Sequence, residues 1–138
     1  MTSKKSWVEK RNCDTSFKIK KIDKKFADIP AHSKMLIVSP PIIDNYVKNI
    51  PSSKSVSLKE LRDDLAKKYE ADKTCPVTTG IFLRIVAEAA YEELESGKTI
   101  TQITPFWRVI NSKIKIASKL ACGLNFINFQ REKEGLEV

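Results

Sequence analysis

Residues 57–95, SLKELRDDLAKKYEADKTCPVTTGIFLRIVAEAAYEELE, decide the fold of this chain. The segment opens with Ser57 three positions before Glu60, a capping box that starts helices. Apolar residues then recur at helical spacing along one face, while the other face is charged. The apolar face consists of Leu58, Leu61, Leu65, Ala66 and Tyr69. The pattern predicts an amphipathic helix that begins after Ser57.

The second half of the segment predicts another helix over residues 80–95, with Thr78 or Thr79 as its cap. Its buried stripe is expected to contain Ile81, Phe82, Ile85, Val86, Ala89 and Ala90. Arg84 and Glu88 are expected on the opposite face as an exposed i,i+4 pair. Residues 70–76 connect the two helices, and two helices joined this way are typical of a helix-turn-helix.

Shorter elements flank this pair of helices. Before it, residues 35–38 form an apolar strand or extended lead-in, and Pro41 opens a helix that ends at Ile50, ahead of Pro51. After it, residues 106–110 and 113–116 are expected to form two paired strands, and residues 127–135 a last helix that ends at Gly135. The predicted fold class is mainly α with a small β-hairpin, a winged helix-turn-helix-like DNA-binding domain.

Charge and length indicate one small domain with a polyanionic partner. The chain has 138 residues and a formal net charge of +8. Residues 1–32 are interpreted as a basic N-terminal arm, docked in part through Trp7 and Phe17, and residues 33–138 as the winged-helix domain. A second basic group lies near the C-terminus: Lys113, Lys115 and Lys119. Because each cation set against a phosphate releases counterions, double-stranded DNA is the expected partner.

Several other classes of protein do not fit the composition. No apolar run approaches the roughly 18 residues that span a bilayer, and the N-terminus lacks a signal peptide's apolar stretch, so a cytoplasmic protein without a membrane partner is expected. The three cysteines are widely spaced and the single histidine, His32, lies in a loop-like setting. We therefore expect no disulfide framework, no metal site, no histidine-based triad and no cofactor. The chain is expected to be a monomer.

Three segments, in order, resemble the C-terminal domain of alkylguanine-DNA alkyltransferases and the related cysteine-less alkyltransferase-like proteins. Ile50-Pro51, then Val56-Ser57 and Leu61, is similar to the family's Ile-Pro, Val-Ser-Tyr, Leu-Ala stretch. Arg84 and the IVAEAA that follows resemble its recognition helix, which begins Arg-Ala-Val. PFWRVI, residues 105–110, stands where the family has Pro-Cys-His-Arg-Val-Ile. The tail QREKEG, residues 130–135, resembles its last helix, which ends in Glu-Gly.

A small-protein branch of that family resembles the chain over almost its whole length. The shared motifs are Ser6-Trp7, MLI at residues 35–37, CPVTTGIF at residues 75–82 and ITPFWR at residues 103–108. The last two blocks are the specific ones.

The resemblance also indicates what the chain lacks. Phe106 fills the position of the methyl-accepting cysteine and Trp107 that of its histidine neighbour, so the thiolate and the base that alkyl transfer requires are both missing. An aromatic residue at 106 is similar to the tryptophan that alkyltransferase-like proteins carry there. Leu58 takes the place of the family's base-rotating tyrosine. The resemblance therefore implies a non-catalytic DNA-binding protein that recognises alkylated guanine for repair and hands it to other repair proteins.

The expected site follows from these motifs. Residues predicted to contact DNA are Arg84, Thr78, Thr79, Lys113 and Lys115, and those predicted to line a lesion pocket are Phe106, Trp107 and Arg108; no residue is assigned a catalytic role. The resemblance implies that Arg84 replaces an extruded base in the stack. Two alternatives stay open. One is a generic winged-helix DNA binder or regulator without lesion preference, and the other is an alkyl acceptor that uses Cys75, which precedes the predicted third helix.

Overall fold

The computed structural model describes residues 6–138, which form a mixed α/β fold with five helices and a small sheet in that range. The helices are α1 (Trp7–Arg11), α2 (Pro40–Lys48), α3 (Leu58–Lys68), α4 (Pro76–Glu95) and α5 (Leu124–Lys133). The strands are β1 (Lys18–Lys21), β2 (Lys34–Ile37) and β3 (Lys73–Thr74). Two 3-10 segments follow α4, Phe106–Arg108 and Lys115–Lys119. None of the described helices is both long and apolar enough to cross a bilayer.

The helix pair of residues 57–95 is confirmed, with one shifted boundary. Ser57 caps α3, because its Oγ accepts a hydrogen bond from the Glu60 N–H at 3.0 Å. α4 begins at Pro76 and not near residue 80, since proline at the first position lacks the N–H that a helix leaves unpaired there. Thr78 and Thr79 thus lie inside the first turns of α4 and do not cap it, which corrects that expectation. The cap position belongs to Cys75.

The sheet lies in the first half of the fold. Its order is β1-β2-β3, with β1 antiparallel to β2 and β3 parallel to β2. The strand predicted at residues 35–38 is confirmed as β2, whose Leu36 is fully buried. β3 forms within the connector between α3 and α4, where the Cys75 N–H donates to the Leu36 carbonyl at 2.8 Å. This pairing ties the helices α3 and α4 to the sheet.

The strand pair predicted after α4 is wrong. Residues 106–108 form a 3-10 segment, in which the Val109 N–H donates to the Phe106 carbonyl at 3.1 Å. Residues 113–116 enter the second 3-10 segment, Lys115–Lys119. The apolar run at 106–110 arises because the segment is buried in the core, so its hydrophobicity does not mark a pleated strand. No strand pairing joins the two segments, so the described structure has no hairpin in the place expected for a wing.

Parts of the N-terminal arm contact the rest of the fold. α1 packs on α4. The Trp7 and Val8 N–H groups each donate to Glu92 of α4 at 3.2 Å, and the buried Arg11 forms an ion pair with Glu93. β1 adds a strand to the sheet further along the arm. Lys4 and Lys5, which belong to the predicted basic arm, lie outside the described residues.

Candidate nucleic-acid interface

An exposed groove runs between α1, the N-terminal half of α4 and the second 3-10 segment. It encloses about 440 Å³. It is lined by Trp7, Lys10, Val77, Gly80, Ile81, Arg84, Ile85, Ile116 and Lys119. Three of these residues are cations, five are large apolar residues and none is acidic. Such a lining suits an anion that also carries apolar surface.

The apolar floor of the groove departs from the predicted buried stripe of α4. Ile81 was expected in the core but is 54% exposed, and its neighbour Val77 is 53% exposed. Leu83, outside the predicted stripe, is instead fully buried. The stripe is rotated because α4 is covered on several sides, by α1, α2 and the Phe106–Arg108 segment, so that apolarity alone does not show which face is open.

Arg84 lies inside this groove and does not project freely from the helix. Its Nη2 is 3.6 Å from Glu88 Oε2 and donates to the Lys119 carbonyl at 3.4 Å. Its guanidinium carbon stands 5.4 Å from the centre of a Trp7 ring, which also holds the Lys10 ammonium at 4.3 Å. Its Nε is buried and has no hydrogen-bond partner among the described residues. The Arg84 side chain as a whole is 39% exposed, so a ligand in the groove is able to contact the guanidinium but not its enclosed Nε.

Glu88 was expected to be exposed, and this expectation is wrong. The residue is 5% exposed, and its Oε1 accepts the Ala121 N–H at 3.0 Å. The Arg84–Glu88 pair therefore joins a half-exposed cation to a buried carboxylate. Removing either partner has larger consequences than loss of a surface pair.

The other residues predicted to contact DNA differ in their accessibility. Thr79 is fully buried and its hydroxyl donates to the Cys75 carbonyl at 2.6 Å, so it does not reach a ligand. Thr78 is half-buried, and its Oγ1 has no partner among residues 6–138. Lys113 and Lys115 are both exposed and lie in the segment that leads to Lys119 of the groove.

The three residues predicted to line a lesion pocket do not share one surface. Phe106 is fully buried and stacks on Phe126, with ring centres 6.0 Å apart and planes 16° apart. Trp107 is 3% exposed and meets Phe106 edge to face at 5.3 Å. Phe106 is therefore a core residue, and the expectation that it lines a pocket is corrected. A 3-10 turn that is enclosed on all sides buries both neighbours, whereas a strand would have exposed one.

Trp107 and Arg108 meet at Glu134, a residue that the sequence did not single out. Trp107 Nε1 donates to Glu134 Oε2 at 2.7 Å, and Arg108 Nε donates to Glu134 Oε1 at 2.9 Å. Burial alone would raise the pKa of Glu134, but hydrogen bonds from Arg108, Trp107 and the Ser53 N–H outweigh it and leave that pKa below its ordinary value. Glu134 is the glutamate of the Glu-Gly ending that resembles the family's last helix. This motif is the sequence signal that could have pointed to its role. The network fastens the end of α5 to the Phe106–Arg108 turn.

A second cavity opens beside this network. It encloses about 450 Å³ and its wall includes Trp107 and Arg108 but not Phe106. Lys48 and Lys133 contribute cations, while Glu134 is already engaged as an acceptor. Trp107 and Arg108 are therefore open to a ligand from this cavity.

The cysteines offer little accessible thiol. Cys75 is 3% exposed and packs with Ile22, Ile29 and Met35. Cys122 is half-buried, and burial, followed by the charge of Glu88, raises its pKa to about 11. Cys13 is exposed. Within residues 6–138, no group of three or more His, Cys, Asp or Glu side chains is arranged to hold a metal ion.

Comparison of the chain with protein-family models, curated proteins and solved structures gives no match. The resemblance to alkyltransferase-like proteins therefore rests on the quoted motifs alone.

Proposed function

We propose that this chain binds double-stranded DNA through the groove of α1, α4 and the second 3-10 segment, without catalysing a reaction on it. The observation that carries the proposal is the lining of that groove: Lys10, Arg84 and Lys119 face one open space that contains no carboxylate. Cations gathered on one face bind phosphates and release the counterions condensed on DNA.

The residues of the groove would make different kinds of contact with DNA. Lys10 and Lys119 neutralise phosphates, and the exposed Lys113 and Lys115 extend the same charge along the backbone. The Arg84 guanidinium, whose side chain is 39% exposed, adds a third positive charge in the groove. Val77 and Ile81 offer apolar contacts of the kind that thymine methyl groups and sugars accept.

Preference for alkylated guanine is the finer part of the proposal, and the motif resemblance supports it. With Phe106 enclosed in the core, the base would have to be read by Trp107 and Arg108 from the second cavity. Leu58, which stands for the base-rotating tyrosine, is half-buried and packs against the core, so it is poorly placed to turn a nucleotide. A DNA binder without lesion preference is the second candidate, and this position of Leu58 favours it.

The test is a fluorescence-anisotropy titration of the full chain with two matched duplexes, one plain and one with a single O6-methylguanine, at two salt concentrations. We expect binding at low salt and a log–log salt slope of about −3 to −5, since three to five phosphates would be neutralised. Lys119→Gln should reduce the slope by about one unit. Lys67→Gln, an exposed lysine of α3 outside the groove, is the matched control and should leave the slope unchanged.

Each other outcome has a distinct meaning. Absence of binding at low salt, or equal effects of the two lysine variants, would overturn the proposed groove. Equal affinity for the two duplexes would remove the lesion preference and leave a generic DNA binder. Mass spectrometry after incubation with the alkylated duplex tests the acceptor alternative, because transfer would add the alkyl mass to the Cys75 peptide.

A further inference from the structure

The outer edge of the sheet is open along β1. All four residues of Lys18–Lys21 are exposed. β1 pairs only on its inner side, with β2, and no strand within residues 6–138 pairs with its outer side. An edge strand leaves a row of N–H and C=O groups available to another chain.

The ladder of β2 defines which peptide groups point to that edge. Lys34 and Leu36 of β2 accept hydrogen bonds from the β3 side, given by the Asp72 and Cys75 N–H groups at 2.9 and 2.8 Å. Met35 and Ile37 therefore bond to β1, where their partners are Lys20 and Lys18. The peptide groups of Ile19 and Lys21 alternate with these and face outward.

Lysines dominate the charge around this edge, where the exposed Asp23 lies among them. Six lysines of the arm and β2 are exposed and none forms an ion pair with a described residue: Lys18, Lys20, Lys21, Lys24, Lys25 and Lys34. The nearby carboxylates of Asp28 and Asp72 are already engaged, by Arg62 and by the Lys34 N–H. Apolar side chains stand among the lysines, since Phe17, Ile19 and Phe26 are 46%, 41% and 40% exposed.

We propose that the β1 edge binds an acidic, extended segment of a partner protein, which adds to the sheet as a fourth strand. Ile19 and Lys21 supply the backbone hydrogen bonds, and the surrounding lysines select carboxylates by charge complementarity. The open row of N–H and C=O groups favours a peptide over a nucleic acid, because a peptide backbone pairs with both kinds of group. The exposed apolar side chains favour a segment in which acidic and apolar residues alternate. This inference uses residues outside the DNA groove and does not depend on the proposed function.

The test uses a nine-residue peptide of alternating glutamate and valine, with a lysine–valine peptide as its control, followed by ¹H–¹⁵N spectra of the full chain. We expect the glutamate peptide alone to shift and protect the amides of Ile19 and Lys21. Ile19→Pro removes one outward N–H without touching the bonds to β2, a position where edge strands tolerate proline. It should weaken binding by about 5- to 10-fold, the factor of one net hydrogen bond. Ile19→Val keeps both the N–H and a branched apolar side chain, and it should weaken binding much less.

Two controls keep the proposal falsifiable. The spectrum and the melting temperature of Ile19→Pro show whether the sheet is intact, and Lys18→Gln with Lys20→Gln tests the charge requirement independently, with an expected loss of affinity for the glutamate peptide only. Unchanged binding by the intact Ile19→Pro variant would overturn strand addition. Shifts of the same amides by duplex DNA but not by the peptide would assign the edge to nucleic acid and overturn the proposal. The absence of any response would also overturn it, and would leave the lysines only the role of preventing edge-to-edge aggregation.

Discussion

Substitution of Arg84 by alanine tests whether the stability of the fold depends on a cation beside the buried carboxylate of Glu88. In the folded chain, the guanidinium is 3.6 Å from a carboxylate that is 5% exposed. Arg84→Ala removes the cation and leaves the buried charge with one remaining donor, the Ala121 N–H. We therefore expect a loss of stability that a surface pair would not produce.

The size of the loss follows from the exposure of the two partners. Exposed ion pairs contribute about 0–1 kcal/mol, whereas breaking a fully buried pair costs about 3–5 kcal/mol. The Arg84 side chain is 39% exposed, which places the pair between these limits. We expect a loss of about 1–2 kcal/mol in the free energy of unfolding. With an unfolding entropy of about 0.3 kcal/mol/K for a chain of this length, the melting temperature should fall by about 3–7 °C.

Thermal and urea denaturation, followed by circular dichroism, measure the change. The double variant Arg84→Ala/Glu88→Gln removes the uncompensated charge as well and should recover at least about half of the loss. Lys59→Ala is the matched control, because it breaks another i,i+4 pair, with Asp63, in which both partners are exposed, and should leave the melting temperature almost unchanged. A melting temperature of Arg84→Ala equal to that of the wild type, or no recovery in the double variant, would refute this reasoning.

Three further predictions concern the buried Phe106, the carboxylate of Glu134 and the thiols. Phe106→Ala should cost about 3–5 kcal/mol of stability by urea denaturation, because it empties a fully buried site; a loss below about 1 kcal/mol would show that the residue is not core. Glu134 has a lowered pKa in the folded chain, so its contribution is complete above its ordinary pKa of 4.5 and is lost as the pH falls through the lowered value; Glu134→Gln should flatten the acid limb of the stability profile, and an unchanged acid limb would contradict this. Iodoacetamide at pH 7 should label the exposed Cys13 first, while Cys75 and Cys122 should react only on unfolding; peptide mass spectrometry that finds either of the latter labelled as fast as Cys13 would disprove the burial of these thiols.

The sequence by itself determined the elements whose signals are local. The serine at 57 fixed where α3 begins, because its hydroxyl caps the helix through the backbone N–H three positions later and such a cap needs only neighbouring residues. The spacing of apolar residues predicted helices over most of α2, α3, α4 and α5, and the short run at residues 35–38 predicted β2. The excess of lysine is also evident from the sequence, since the net charge of a chain does not depend on its fold.

Tertiary structure decided which side of each element is open. Apolar residues at 106–110 are compatible with a strand or with an enclosed turn, and the observed turn is packed in the core, with Phe106 stacked on Phe126 of α5. Ile81 was expected to be buried and is exposed, whereas Glu88 was expected to be exposed and is buried. The reason is that α1 and the second 3-10 segment, which are distant along the chain, cover α4 unevenly. The groove of Lys10, Arg84 and Lys119 and the open edge of β1 arise in the same way. The groove brings together residues from remote segments, and the β1 edge is open because no remote segment among the described residues pairs with it. Periodicity within one segment carries no information about such contacts.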